Sequence, residues 1–218
     1  MTSRLQNLYR EYKGFVLFVV LMMVFRSAVA DWNEVPSGSM LPTIQEGDRI
    51  YVNKLAYDVR IPFTHVSLVK LADPKRGDIV VFDSEAAKKR LVKRVIGLPG
   101  DVVELRHNEL IVNRKTAGYL PAGTDTSSSY FIEQIDGMRH PIKLMEYRGS
   151  PMSTFSPVTV PDGYYLVLGD NRDNSADSRV YGYVPRQEIV GRSTMVVISL
   201  NYDNYFLPRQ NRFFHEIP

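Results

Sequence analysis

The stretch Pro36-Ser37-Gly38-Ser39-Met40-Leu41-Pro42-Thr43 sets a serine between a glycine and a methionine, with a proline on either side. Two prolines and a glycine in so short a span exclude a helix and favour a stiff, turning loop that aims the Ser39 hydroxyl. A serine hydroxyl is a weak nucleophile and needs a base. The histidines are His65, His107, His140 and His215. None neighbours Ser39 in sequence, which a triad does not require, but His107 falls in a predicted hairpin turn and His215 in the tail. Lys93 is the stronger candidate, in the middle of the apolar strand Leu91-Val92-Lys93-Arg94-Val95-Ile96. Alternation sends Lys93 to one side and Arg94 to the other, so a strand buried on both faces must hide one of them. Bringing a lysine from its ordinary ~10.4 to a working base near pH 8 takes roughly 3 kcal/mol. Burial among apolar groups supplies an effect of that size by disfavouring the charged form. The competing reading is an edge-strand lysine in water.

The elements that must hold these residues read as mainly β. Asp48–Lys54 alternates apolar and polar positions, Asp78–Phe82 is a short buried strand, and Leu91–Ile96 closes at Gly97-Leu98-Pro99-Gly100-Asp101, where Pro99-Gly100 suits a type II turn. Val102–Arg106 and Glu109–Asn113 predict a hairpin around His107-Asn108. Tyr130–Ile135 and Met138–Leu144 predict another at Asp136-Gly137. Gly163–Leu168 and Arg192–Leu200 are further strands; residues 55–76 and 115–129 read as loops. No long segment after residue 33 has helical periodicity, so the sheet is expected to be antiparallel, with 114–157 as a small inserted lobe.

Gly14–Phe25 is an unbroken apolar run, with Arg4, Arg10 and Lys13 before it and Arg26, Asp31 and Glu34 after it. A spanning helix needs about 20 residues; counting on to Trp32, with Arg26 snorkelling, reaches that length. The expected division is a cytoplasmic N-terminus (1–13), a transmembrane anchor (14–32) and an extracytoplasmic domain (33–218), oriented by the positive-inside rule. Ala28-Val29-Ala30 also fits a cleavable signal peptide, and a buried core helix is a third reading.

Composition narrows the function classes. The 218 residues, 44% hydrophobic and 23% charged, suffice for one core with an inserted subdomain. The net charge of +3 is dispersed rather than clustered, so nucleic acid is not an expected partner, whereas anionic lipid is. The absence of cysteine excludes disulfides and thiol chemistry. An EF-hand begun at Asp173 would place Ser178 and Val184 where glycine and glutamate are required. Gly97–Asp101 lacks the Gly-Lys-Ser/Thr ending of a phosphate loop. No metal and no cofactor are expected.

Three motifs in order, Ser37–Thr43, Lys93–Asp101 and Gly169-Asp-Asn-Arg-Asp-Asn-Ser-Ala-Asp-Ser-Arg179, together resemble bacterial type I signal peptidase, over residues 36–185 and behind an N-terminal apolar segment. The resemblance implies a monomeric serine–lysine endopeptidase. It would cut signal peptides from exported preproteins after small-x-small sites, at the outer face of the cytoplasmic membrane. It implies Ser39 as nucleophile, Lys93 as base, Ser37 as oxyanion donor, Ser175 as the residue orienting the lysine, and Asp177 with Arg179 as a structural brace. Shallow substrate pockets would be lined by Val35, Pro36, Met40, Leu41, Ile44, Leu91 and Val92. Many Gram-negative members carry two spanning segments, and one is expected here. Ala28-Val29-Ala30 resembles the substrate pattern, so self-cleavage is a further expectation. Two rivals remain. A self-cleaving repressor would need an N-terminal DNA-binding domain, for which residues 1–33 are too short and apolar. A tethered, non-catalytic β module would leave Ser39 and Lys93 apart.

Overall fold

The computed structural model describes residues 2–145 and 150–218, with side chains from residue 11 onward. Helix α1 (Thr2–Ala28) leads directly into strand β1 (Ala30–Glu34), followed by β2 (Asp48–Asn53) and the hairpin of β3 (Asp58–Arg60) and β4 (Ser67–Lys70). Next come β5 (Ile79–Ser84), β6 (Lys89–Gly97), β7 (Val102–Arg106), β8 (Glu109–Val112) and β9 (Lys115–Thr116). Strands β10 (Gly118–Thr124), β11 (Ser128–Ile135), β12 (Met138–Met145) and β13 (Phe155–Thr159) follow. The chain continues through β14 (Tyr164–Leu168), the single-turn helix α2 (Ser178–Tyr181), β15 (Val184–Pro185), β16 (Ile189–Asn201), β17 (Leu207–Pro208) and β18 (His215–Glu216).

The main sheet runs β1-β2-β16-β5-β6-β14-β15, with β17 and β18 also on β16, and every ladder between named strands is antiparallel. Strand β5 is buried on both faces. Ile79 and Val81 pack with Met40, Ile44, Ile50 and Val196, while Val80 and Phe82 pack with Val95, Tyr165, Val167 and Ile189. That two-sided burial is why its sequence is an unbroken apolar run rather than an alternating one. A third cluster joins Ile96, Leu166 and Leu168 to Val103, Leu105 and Leu110 of the β13-β7-β8-β9 sheet and to Ile135 and Met138 of the β10-β11-β12 sheet. The two predicted tight turns are present: His107 and Asn108, and Asp136 and Gly137, all have positive φ, the requirement of a type I′ hairpin.

Three expectations are corrected. Residues 55–76 are not all loop, since β3 pairs with β4, and the glycine-rich stretch near 120 forms β10 on the edge of β11. The segment 14–32 is not one helix. Helix α1 ends at Ala28, and Ala30–Glu34 pair with β2 from Ala30↔Asn53 to Glu34↔Arg49. No helix among the described residues is long and apolar enough to cross a membrane; Lys13 and Arg26 bound the apolar run closely. Arg26 does not snorkel freely. It donates to Asp31 Oδ1 from Nη2 at 2.7 Å and lies 4.1 Å above the Trp32 ring. Ala30 is buried inside the ladder, so the Ala28–Ala30 peptide is not presented as an extended substrate.

Candidate active site

Ser39 sits in a one-turn 3₁₀ segment, Gly38–Met40, preceded by Ser37 in extended conformation. The prolines on either side stop this turn from growing into a helix. Its position is fixed from the 169–179 loop. Asn171 donates through Nδ2 to the Gly38 carbonyl at 2.9 Å and through its backbone N–H to the Ser39 carbonyl at 3.2 Å. Gly169 permits this approach, because a Cβ there would lie 2.5 Å from the Ser39 carbonyl oxygen and 2.2 Å from Ser175 Oγ.

Lys93 reaches the same point from β6. Its Nζ lies 2.7 Å from Ser39 Oγ and 2.9 Å from the Val92 carbonyl oxygen. The side chain is buried and no carboxylate pairs with it among the described residues. Burial pushes its pKa down to about 8; the more distant Asp177 and Asp170 pull it up, while Lys89 and Arg179 push it down. A lysine at that value is a base at mildly alkaline pH. Ser37 Oγ lies 3.5 Å from Ser39 Oγ, on the open side of the turn. No histidine hydrogen-bonds to Ser39 among the described residues. His65, His107 and His215 are exposed. His140 is buried without a hydrogen-bond partner, and burial together with Arg94 pushes it down to about 4.

The acidic loop is a brace. Arg179 grips Asp177 with Nε on Oδ1 at 2.8 Å and Nη2 on Oδ2 at 2.7 Å, and Asp177 also accepts the Gly169 N–H at 2.9 Å. Burial opposes ionisation of Asp177, but Arg179 outweighs it and holds the carboxyl below its usual range. Asp173 binds Asn108 and the Met145 N–H. Asp170 accepts from Arg94 at 2.9 and 2.8 Å and from Thr43 at 2.5 Å. Its three aspartates thus point to three separate sets of partners. Ser175 is buried beside this brace, near enough to Asp177 to help hold that carboxyl low, but its hydroxyl makes no hydrogen bond of good geometry. It is turned toward Gly169, and the Val92 carbonyl is the group that holds Nζ.

A groove of about 390 Å³ runs along the site between residues 32–40 and 89–93. Val35, Pro36, Met40, Leu91 and Val92 line it as expected; Leu41 and Ile44 do not. Ile44 is wholly buried in the core behind the groove, against Met40 and Ile50. Trp32, Asn33, Glu34, Lys89 and Arg90 also line it, and none was picked out from the sequence. Nothing in the local sequence marks them, because the groove forms only where residues 32–40 and the start of β6, far apart in the chain and in the sheet order, come to line the same space. The other omissions are Asn171, Thr43, Asp170 and Arg94. Their polar types in or beside the motifs were the available signal.

The family model described as signal peptidase, peptidase S26, matches residues 9–198. The chain belongs to the signal peptidase family. It is 38% identical to signal peptidase I of Pseudomonas aeruginosa over 84% of this chain and 69% of that one. It is 36% identical to signal peptidase I of Pseudomonas fluorescens, with the same coverage. The signal peptidase I of Bacillus licheniformis is 32% identical over 92% of this chain and 94% of its own length.

Proposed function

We propose that this signal peptidase family member is a serine endopeptidase that removes signal peptides from exported preproteins, with Ser39 as nucleophile and Lys93 as general base. The observation that carries this reading is the 2.7 Å approach of a buried lysine, without a carboxylate partner, to a serine held in a rigid turn. In the neutral state the Ser39 hydroxyl donates to Lys93 Nζ. As Oγ attacks the scissile carbonyl, the proton passes to Nζ and then to the departing amine, leaving an acyl-enzyme. A water deprotonated by the same amine releases the acid. The oxyanion is received by the Ser39 N–H and the Ser37 hydroxyl, which Ser37 can offer by rotating away from Ser39 Oγ; one such donor is worth about 3–4 kcal/mol. The groove offers the free backbone edge of β6 beside Lys93, since β14 pairs β6 only from Arg94 onward. An extended peptide docks there by strand addition, its small side chains resting on Val35, Met40 and Leu91.

The proposed arrangement places residues 1–13 in the cytoplasm, the part of α1 from Gly14 onward in the bilayer, and the domain that follows on the outer face as a monomer. Phe15, Leu17, Phe18, Leu21 and Phe25 are all exposed on α1, which supports contact with lipid. Residues 114–157 form the inserted lobe.

The test is cleavage in detergent of a preprotein ending its signal in Ala-x-Ala, by wild type, Ser39→Ala and Lys93→Ala. Both substitutions are expected to abolish cleavage, a loss of at least about 10³-fold, and a chelator to change nothing. Normal cleavage by Lys93→Ala would remove the base assignment.

A further inference from the structure

Beyond Leu91 lies a second cavity, of about 320 Å³. Phe82, Val167, Tyr181 and Tyr183 contribute to its largely apolar wall, and Leu91 is the one residue it shares with the groove. Asp177, from the brace beside the dyad, also lines it. It therefore adjoins the groove at Leu91 and the brace at Asp177, but is a separate space from the groove that would hold the signal side of the substrate.

Its charges are unbalanced. Asp177 is neutralised by Arg179, and Glu85 at the edge by Lys88. Glu188, also in the lining, has no cationic partner among the described residues. Burial raises its pKa, a hydrogen bond accepted from the Glu85 N–H works against that, and the nearby Glu85 and Asp83 carboxylates add to the rise. Glu188 is half-exposed at the rim of this apolar wall, a negative charge held by a backbone N–H and faced by no cation among the described residues. The side chain that complements such a rim has an apolar stem and a cationic head, which describes lysine and arginine.

We propose that this cavity is a substrate subsite that takes a lysine or arginine from the mature side of the cleaved bond, the stem lying on Phe82, Leu91 and Tyr183 and the head at Glu188. This rests on the reading of the groove as the signal-side site. Specificity on the mature side would then be set by charge, in contrast to the small-residue rule on the signal side.

The experiment uses the full chain in detergent and a peptide set with a constant Ala-x-Ala signal side. Lysine, leucine, alanine or glutamate is placed in turn at each of the first three mature positions. Wild type is expected to show a roughly tenfold higher kcat/KM for lysine than for glutamate at one of these positions. Glu188→Gln should erase most of that ratio, and Glu188→Lys should reverse it, while the all-alanine peptide is cut at the wild-type rate by both. Ala86→Trp, which fills the cavity from an exposed turn, should abolish the lysine preference and spare the all-alanine peptide. No lysine-over-glutamate ratio in wild type, or an equal loss on all peptides in Glu188→Gln, would overturn the subsite and leave the endopeptidase reading intact. Failure of wild type to cut any peptide of the set would instead overturn both.

Discussion

Lys93 and Arg94 are neighbours on one strand, both hidden from water, yet they live in opposite electrostatic conditions. Arg94 meets the Asp170 carboxylate with two hydrogen bonds, in a buried layer that continues through His140 to the Glu133–Arg172 pair. Burial opposes the charges on Asp170 and Glu133, but Arg94 and Arg172 outweigh it and keep both carboxyls ionised. Lys93 is given only a hydroxyl and a carbonyl. Equal burial therefore produces a permanent charge pair on one side, which ties the loop to the sheet, and a titrating amine on the other. The partner, more than the depth, decides which a buried cation becomes.

Four measurements test that contrast, beginning with the largest effect. Asp170→Ala strands Arg94 as an uncompensated buried charge and is expected to cost about 3–5 kcal/mol in urea unfolding. A cost under about 1 kcal/mol would show that the layer is dispensable.

Lys93→Met should do the reverse. The folded-state pKa of Lys93 is lowered to about 8 from 10.5. Between those values the unfolded chain binds the extra proton, so stability rises with pH across that window and the full cost lies below it. Lys93→Met is thus expected to be more stable than wild type by up to about 3 kcal/mol at pH 7, an advantage that shrinks toward pH 10.5. Denaturation at pH 7 and pH 10 measures it; a constant difference would remove the desolvation account.

Catalysis should track the same group. With Lys93 titrating near 8, kcat/KM should rise about tenfold per pH unit below that value and level off above it. A profile with its midpoint near 6.5 would point to a histidine.

The smallest effect is expected at Ser175. Its hydroxyl is buried and makes only a weak approach to Asp177, so Ser175→Ala should change stability by less than about 1 kcal/mol. A larger loss would mean that the hydroxyl is satisfied in solution, as the orienting role would require.

Much of this was legible in the chain. The β11–β12 hairpin follows from Asp136-Gly137 between two strand patterns, and β5 and β6 from their apolar runs. The hairpin of β3 and β4 was not legible, because Ser67–Lys70 is exposed throughout and so lacks the in–out alternation that marks a half-buried strand. Strand β10 was hidden for a like reason, being a largely exposed edge strand interrupted by Pro121 and Gly123 whose order comes from the β11 ladder. The sequence by itself determined which side chains are candidates for the chemistry, since a rigid serine turn and a lysine inside an apolar strand are local facts. Tertiary structure alone decided that these two meet, across 54 positions, and that Asn171 and Gly169 hold the turn in place. It also placed Leu41 and Ile44 outside the groove and Trp32 within it. The physical reason is that burial and pairing are properties of surroundings. A lysine's charge state depends on groups brought to it by other strands, and no local pattern encodes their distance.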